Sequence, residues 1–188
     1  LQESSGFHAM CKKLLGENVA VLEQTIQLLD PRQVSRAVDL LRRSRRVVCM
    51  GQGSSMVLSE EAWTLFSTVS PKFLFVPDSH LQMNTLALMD PDELVLFFSY
   101  SGSTRDFQDL LEVARQRQVK VVLVSRFPKS PGGQLADVVL QCGADEGPLQ
   151  AGSVNARMAQ LFVLDVLFQE FCMRAPEETE QSREQIAE

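Results

Sequence analysis

The stretch FFSYSGSTRD, residues 97–106, places four serine and threonine hydroxyls within six positions, directly after two phenylalanines. The four are Ser99, Ser101, Ser103 and Thr104, and Gly102 lies among them. Hydroxyls and backbone N–H groups can both donate hydrogen bonds to phosphate oxygens, and glycine lets the backbone approach a ligand closely. This composition is typical either of an ordinary polar turn or of a loop that binds an anion.

A second loop of similar composition follows an earlier apolar run. Residues 51–56 read GQGSSM and come directly after the run VVCM. Each loop leads into a predicted helix, whose first N–H groups lack intrahelical partners and carry positive partial charge. A single loop of this kind needs no ligand, because Thr104 could cap the helix, Gly102 could supply a positive φ and the serines could face water. Two such loops favour an anion site if the fold brings them together.

The rest of the sequence predicts the elements that must position these loops. Continuous apolar runs alternate with helical segments, which is typical of parallel strands buried on both faces. The predicted strands are 47–50, 72–76, 93–99, 119–125 and 137–142, and the predicted helices are 18–29, 31–44, 55–69, 79–89, 104–118 and 153–173, with a short turn or helix at 131–136. The pattern predicts an α/β fold of three layers, doubly wound around a five-stranded parallel sheet and preceded by N-terminal helices.

The expected strand order places the two loops together. In the flavodoxin-like order 2-1-3-4-5, ligands bind beyond the carboxyl ends of strands 1 and 3. The GQGSSM loop follows strand 1 and the SYSGST loop follows strand 3. We therefore expect both at one edge of the sheet, where they would form an anion site without a lysine. The chain contains no P-loop or G-x-S-x-G elbow, and GQGSSM lacks the third glycine of a dinucleotide-binding fingerprint.

Two further candidates lie near the expected site. His80 follows strand 2 in VPDSHLQ, and it either contacts a ligand or lies exposed on a helix capped by Asp78 or Ser79. Ser153 and Arg157 are i and i+4 at the start of the last helix, where they either brace it or contact a ligand. The four cysteines are far apart, so we predict no metal and no cofactor. No carboxylate or histidine pair is placed for proton transfer, and we name no catalytic residue.

Composition and charge exclude some classes of partner. Hydrophobic residues make up 45% of the chain and charged residues 22%, the balance of an ordinary globular domain. The net charge of -6 argues against a nucleic-acid-binding surface, which needs clustered lysine and arginine. The one dense cluster, RRSRR at 42–46, predicts a solvated helix end. No apolar segment is long enough to span a membrane, no signal peptide is visible, and the scattered cysteines favour the cytoplasm.

The two loops, in these strand contexts, resemble those of the SIS (sugar isomerase) domain, a phosphosugar-binding α/β fold. The resemblance covers roughly residues 40–173, and S-x-S-G-x-T is its most specific element. Within the superfamily, the segments ENVAVLEQTIQLLD, DSHLQ, LADVVL and SVNARMAQLFVLDVLF are similar to RpiR-type bacterial transcription regulators. In such regulators the SIS domain senses a sugar phosphate and follows an N-terminal helix-turn-helix domain.

The resemblance implies a role for each matching residue. The loop after strand 3 would hold the phosphate, and the loop after strand 1 would contact phosphate or sugar hydroxyls. Specificity would depend on side chains around His80, Gln82 and the start of the last helix. The implied ligand-binding residues are Gly53, Ser54, Ser55, His80, Ser99, Ser101, Gly102, Ser103, Thr104 and Ser153.

The resulting prediction is the phosphosugar-binding effector domain of an RpiR-type regulator whose DNA-binding domain is missing from this chain. It would form a homodimer or homotetramer through helices 18–29 and 153–173, with no membrane partner and with DNA contacted only through the missing domain. The predicted boundaries are a linker and helix over 1–30, the SIS domain over 31–175 and a polar, frayed tail over 176–188. The alternatives are a stand-alone sugar-phosphate aldose-ketose isomerase and, third, a structural dimerisation module without a ligand.

Overall fold

One parallel sheet organises the fold. The computed structural model describes residues 2–143 and 154–187, with side chains from residue 6 onward in those ranges. Five strands pair in the order β2-β1-β3-β4-β5, and every pairing is parallel. They are β1 (Val47–Gly51), β2 (Phe73–Phe75), β3 (Leu94–Phe98), β4 (Lys120–Ser125) and β5 (Val138–Gln141). This is the flavodoxin-like order, so the predicted fold class is confirmed.

Helices connect and cover the strands. They are α1 (Gln2–Leu28), α2 (Pro31–Arg43), α3 (Met56–Ser67), α4 (Ser79–Ala87), α5 (Arg105–Gln116), α6 (Pro131–Leu135), α7 (Val154–Met173) and α8 (Pro176–Ala187). The start of α2 shows how local sequence sets a boundary, because Asp30 accepts a hydrogen bond from the Arg32 N–H and Pro31 occupies the first helical position. In the described ranges, no helix combines the length and apolar character needed to cross a lipid bilayer.

The sheet separates two apolar layers because strand side chains alternate between its faces. Val47 and Cys49 of β1 belong to the layer shared with α2, α3 and α7. Val48 and Met50 belong to the layer shared with α4 and α5. Both faces of the central strands are therefore buried, and polar chemistry can occur only at the strand ends.

The two phenylalanines that precede the hydroxyl-rich stretch occupy opposite layers. Phe98 belongs to the layer with α7, whereas Phe97 belongs to the layer with α5. Phe97 stacks on Phe107 of α5, with ring centroids 4.2 Å apart. This contact fixes the first turn of α5 over the end of β3.

Both ends of the chain differ from expectation. Helix α1 begins at Gln2, whereas the apolar spacing predicted a helix only from residue 18. The predicted frayed tail instead forms α8, because Thr179 is buried against the end of α7 and donates a hydrogen bond to Ala175 O at 2.9 Å. An ion pair of 3.2 Å between Arg42 and Glu178 also holds α8 to the end of α2.

Candidate functional site

The loops after β1 and β3 lie side by side at the carboxyl edge of the sheet. The two strands are neighbours, with Gly51 in register with Phe98. A hydrogen bond of 3.4 Å from Thr104 Oγ1 to Gln52 Oε1 joins the two loops directly. The expectation that both loops meet at one edge is confirmed.

Hydrogen bonds define the shape of the loop after β3 (residues 99–104), which is called the phosphate loop here after the ligand predicted for it. The Gly102 N–H donates to Ser99 Oγ at 3.1 Å, and the Ser103 hydroxyl donates to Ser101 O at 2.9 Å. Gly102 has φ +61, a conformation that favours glycine. Ser99 is buried, whereas Ser101, Ser103 and Thr104 are exposed. Ser99 therefore shapes the loop, while the exposed hydroxyls line its outer face.

Helix α5 begins without a side-chain cap. Thr104 occupies the N-cap position with φ -66 and ψ 141, but its hydroxyl makes no capping hydrogen bond and bonds Gln52 instead. The interpretation of Thr104 as a capping side chain is therefore wrong. Among the described residues, no side chain caps the N–H groups at the start of α5, which lie at the positive end of the helix dipole.

The segment after β4 supports the phosphate loop from behind. The buried Ser125 hydroxyl donates to Tyr100 O at 3.0 Å, and the Gly132 N–H donates to Gly102 O at 2.9 Å. A Cβ atom on Gly102 would overlap Ser130 Oγ. The sequence reasoning missed this support because SRFPKSPGG, residues 125–133, reads as an ordinary turn. Its density of serine, proline and glycine was the only signal that could have marked it.

The loop after β1 is open on its outer side. Gly53 has φ +57 and nothing within 4 Å of where its Cβ would lie, and Ser54 is exposed. Ser55 is only 9% exposed and lies at the start of α3. Gly53 and Ser54 can therefore contact a ligand more readily than Ser55.

Gln82 is a positioning residue. Its side chain is fully buried, and its amide donates to Gly51 O and to Val76 O, both at 2.9 Å. It thereby ties the end of β1 to the segment after β2. Gln82 itself therefore offers a ligand no exposed atoms, and the expectation that specificity depends on side chains around His80 and Gln82 stays a prediction.

His80 lies exposed on the first turn of α4, whose start is capped by Asp78 through a 3.0 Å bond from the Leu81 N–H. It lines a cleft of about 250 Å³ beside the phosphate loop. The cleft also contains Gln52, Ser79, Met83, Asp106, Asp109 and Leu110. The tertiary structure thus brings His80 to two carboxylates of α5 that the sequence reasoning did not select.

Ser153, the remaining predicted contact, lies outside the described residues. The described part of α7 begins at Val154, and its buried Gln160 donates to Val124 O at 3.2 Å, next to the end of β4. Helix α7 therefore reaches the same edge of the sheet as the phosphate loop.

The cysteines near this edge are structural. Burial raises the pKa of the Cys49 thiol, and it raises the pKa of Cys142 to about 12. Both thiols stay protonated near neutral pH and are poor nucleophiles. Within the described ranges, no group of three histidine, cysteine or carboxylate side chains could hold a metal ion. What this edge offers a ligand is hydrogen-bond donors, a helix N-terminus and a cleft with an imidazole and two carboxylates.

The family model for the SIS domain matches residues 40–169. The chain therefore belongs to the SIS domain family, as the loop motifs predicted.

Similar proteins include bacterial transcription regulators. The HTH-type transcriptional regulator RpiR of Escherichia coli K12 is 27% identical over 136 residues, covering 72% of this chain and 46% of RpiR. The uncharacterized HTH-type transcriptional regulator YbbH of Bacillus subtilis is 27% identical over 161 residues, covering 85% of this chain and 57% of YbbH. The chain spans about half the length of these curated relatives. The predicted resemblance to the effector part of RpiR-type regulators is confirmed.

The fold matches a solved structure closely. The Vibrio vulnificus NanR protein, solved in complex with ManNAc-6P, aligns with a TM-score of 0.89 and 24% identity. The alignment covers 95% of this chain and 67% of the NanR chain.

Proposed function

We propose that this chain is the sugar-phosphate-binding effector domain of an RpiR-type transcription regulator. RpiR and YbbH are HTH-type regulators, and NanR was solved with a sugar phosphate. The relatives extend beyond the part that this chain matches. Binding of DNA would belong to a domain outside the chain, which agrees with the acidic net charge of -6.

The main support for a phosphate ligand is the start of α5. The Thr104 hydroxyl donates to Gln52 and does not accept a hydrogen bond from the helix. The first N–H groups of α5 therefore have no side-chain acceptor within the described structure. Ser101 and Ser103 expose hydroxyls beside them. A phosphate here would receive backbone and hydroxyl hydrogen bonds and would lie at the positive end of the helix dipole.

The sugar would extend from the phosphate loop toward the cleft of His80. Gln52 borders both, because it accepts the Thr104 hydrogen bond and also lines the cleft. In the cleft, carboxylates of Asp106 and Asp109 can accept hydrogen bonds from sugar hydroxyls, and His80 can donate or accept them. Ser54 would contact the ligand from the loop after β1.

We propose that a second copy of the chain covers α1 and the adjoining part of α7. Leu14 and Ile26 of α1 are 50% and 61% exposed. An apolar cleft of about 360 Å³ contains Ile26, Phe162 and Val166. Light scattering should give the mass of a dimer or tetramer for the wild type and of a monomer for Leu14→Glu with Ile26→Glu. A monomeric wild type would contradict this part of the proposal.

The second candidate function is sugar-phosphate isomerisation, because His80 shares the cleft with Asp106 and Asp109. Such groups could move a proton between adjacent sugar carbons if they reach the substrate. Turnover of hexose and pentose phosphates that is lost in His80→Asn would favour the isomerase. Binding without turnover would favour the effector domain.

A thermal-shift screen with sugar phosphates tests the proposed function, because a ligand that binds only the native state raises the unfolding temperature. Ser101→Ala with Thr104→Ala should abolish that rise and leave the unfolding temperature without ligand nearly unchanged. The matched control is Thr64→Ala with Ser182→Ala, which removes one exposed and one half-buried hydroxyl from α3 and α8, away from the loop. An undiminished rise in the Ser101/Thr104 variant would refute the phosphate loop as the binding site.

A further inference from the structure

Helix α1 contacts the carboxyl edge of the sheet through one hydroxyl. Thr25 is fully buried, and its Oγ1 donates to Val21 O at 2.8 Å. The same oxygen accepts a hydrogen bond of 3.0 Å from the N–H of Gly143, 118 residues away. A helical threonine that bonds only within its own helix is common. Here the hydroxyl also satisfies a buried backbone N–H just beyond β5, which makes it a specific link between two elements.

Gly143 in turn lies directly under a side chain of the phosphate loop. Its φ is +82, and a Cβ atom built on it would lie 2.7 Å from Tyr100 Oη and 2.9 Å from Tyr100 Cε2. A methyl group here would displace the tyrosine ring, and the positive φ disfavours any residue other than glycine. The backbone of Tyr100, between Ser99 and Ser101, belongs to the loop proposed to bind phosphate, and its ring lies on Gly143. One residue therefore joins the loop to the segment after β5.

Ser125 holds the same two segments together from the end of β4. Its hydroxyl donates to Tyr100 O at 3.0 Å, and its carbonyl accepts a hydrogen bond of 3.0 Å from the Cys142 N–H. Tyr100 is therefore connected to residues 142–143 twice, by direct packing on Gly143 and through the fully buried Ser125, which bonds Cys142. A shift of the phosphate loop cannot leave the backbone at residues 142–143 unchanged.

We infer that Thr25, Gly143 and Tyr100 couple the phosphate loop to α1, so that occupancy of the loop changes the stability of α1. The coupling itself follows from the contacts described above, whereas its role in signalling rests on the proposed function. Under that function, α1 is the segment that leads away from the ligand-binding domain. Because coupling between two sites is reciprocal, a change at Thr25 must also alter the phosphate loop.

Hydrogen exchange by mass spectrometry tests the coupling without any ligand, on the 188-residue chain. Thr25→Val removes the hydroxyl and keeps the shape. We expect exchange to become roughly threefold faster or more both in α1 residues 18–28 and in residues 99–104. Thr25→Ser keeps the hydroxyl and should restore wild-type exchange in residues 99–104.

A matched control removes a buried threonine hydroxyl elsewhere. Thr179→Val loses a 2.9 Å bond to Ala175 O and should leave exchange in residues 99–104 unchanged. Gly143→Ala provides a second route, because its methyl group presses on Tyr100 while Thr25 stays intact. It should accelerate exchange in α1 residues 18–28, and it keeps the test decisive if Thr25→Val does not fold.

A ligand arm distinguishes the coupling from the proposed function. With ManNAc-6P and a panel of hexose 6-phosphates as probes, a binding compound should slow exchange in residues 99–104 and in α1. The slowing in α1 should disappear in Thr25→Val while the loop is still protected.

Each failure has a separate meaning. If no sugar phosphate protects the loop, the proposed function fails, and the ligand-free comparison still decides the coupling. If Thr25→Val and Gly143→Ala each change exchange only in their own segment, the coupling is overturned even where the ligand binds.

Discussion

The two edges of the sheet use their polar groups in opposite ways. At the amino edge, the Glu93 carboxylate is 1% exposed and receives hydrogen bonds from Arg46 Nη2 at 2.9 Å, Arg45 Nη2 at 3.1 Å and the Asp90 N–H at 2.9 Å. Lys72 Nζ donates to two backbone carbonyls there, those of residues 42 and 44. The charges of this edge are engaged by the fold itself and join the ends of β1, β2 and β3.

At the carboxyl edge, in contrast, the described residues supply no side-chain cap for the first N–H groups of α5. Thr104 does not cap α5, and Ser54 and Ser101 face outward from loops that glycine holds open. The difference shows that charge density does not mark a binding site by itself. The proposed binding site is instead indicated by N–H donors at a helix N-terminus that the side chains of the described fold do not cap.

The arginine cluster before β1 illustrates this difference. The sequence predicted a solvated helix end for residues 42–46, and Arg42 and Arg43 do lie in the last turn of α2. Arg45 and Arg46, however, bind the buried Glu93. That part of the prediction is wrong, because the partner lies directly before β3, 47 residues after Arg46.

The largest expected effect is at the amino edge. Glu93→Ala leaves two arginines and a backbone N–H without their shared acceptor, and unfolding free energy should fall by about 2–3 kcal/mol, since the arginines can still reach water. Urea unfolding measures this, and stabilisation by a sugar phosphate should persist in the variant. Glu112→Ala, which removes an exposed carboxylate paired with Arg115, is the control and should change little. Loss of ligand stabilisation in Glu93→Ala would contradict the inference that the amino edge serves stability and only the carboxyl edge serves binding.

Gly102→Ala should reduce both the stability of the fold and the binding of a sugar phosphate. The positive φ of +61 and the overlap with Ser130 should lower the unfolding free energy by about 1–2 kcal/mol. The same distortion should abolish the thermal shift produced by a sugar phosphate. Gly16→Ala is the control, because nothing lies within 4 Å of its added methyl group. Normal ligand stabilisation in Gly102→Ala would show that the loop is more tolerant than its contacts indicate.

Thr104→Val should separate binding from stability. The hydroxyl caps nothing, so the unfolding free energy should change by less than about 0.5 kcal/mol. Sugar-phosphate affinity, measured by calorimetry, should fall about tenfold through the loss of one donor. Thr64→Val on α3 is the matched control. A clear drop in stability with unchanged affinity would make Thr104 structural.

The smallest effect concerns the order in which two buried thiols react. The pKa of Cys142 is raised to about 12 by burial and that of Cys49 is also raised, so both require local opening before alkylation. Cys142 lies just beyond β5 at the carboxyl edge, whereas Cys49 lies inside β1 between two strands. Peptide-resolved alkylation at mildly alkaline pH should therefore label Cys142 before Cys49. The reverse order would mean that the carboxyl edge opens less readily than the middle of the sheet.

Much of this fold follows from local patterns. Continuous runs such as VVCM and ELVLFFS predicted strands buried on both faces, and right-handed crossovers limited their order. The motif S-x-S-G-x-T then located the loop that we propose binds phosphate. The N-terminal extent of α1 was not predictable in this way, because Gly6 and Gly16 interrupt the helical pattern and residues 6–17 are exposed.

The sequence by itself determined the two loops, their attachment to β1 and β3, and the glycines that their backbones require. Only the tertiary structure decided which hydroxyls face outward, that Gln82 is buried, that His80 shares a cleft with Asp106 and Asp109, and that Thr25 bonds Gly143. The reason is physical. Strand and turn preferences depend on neighbours in the chain. These side-chain roles depend instead on partners that lie far away in sequence and become neighbours only when the strands assemble into the sheet.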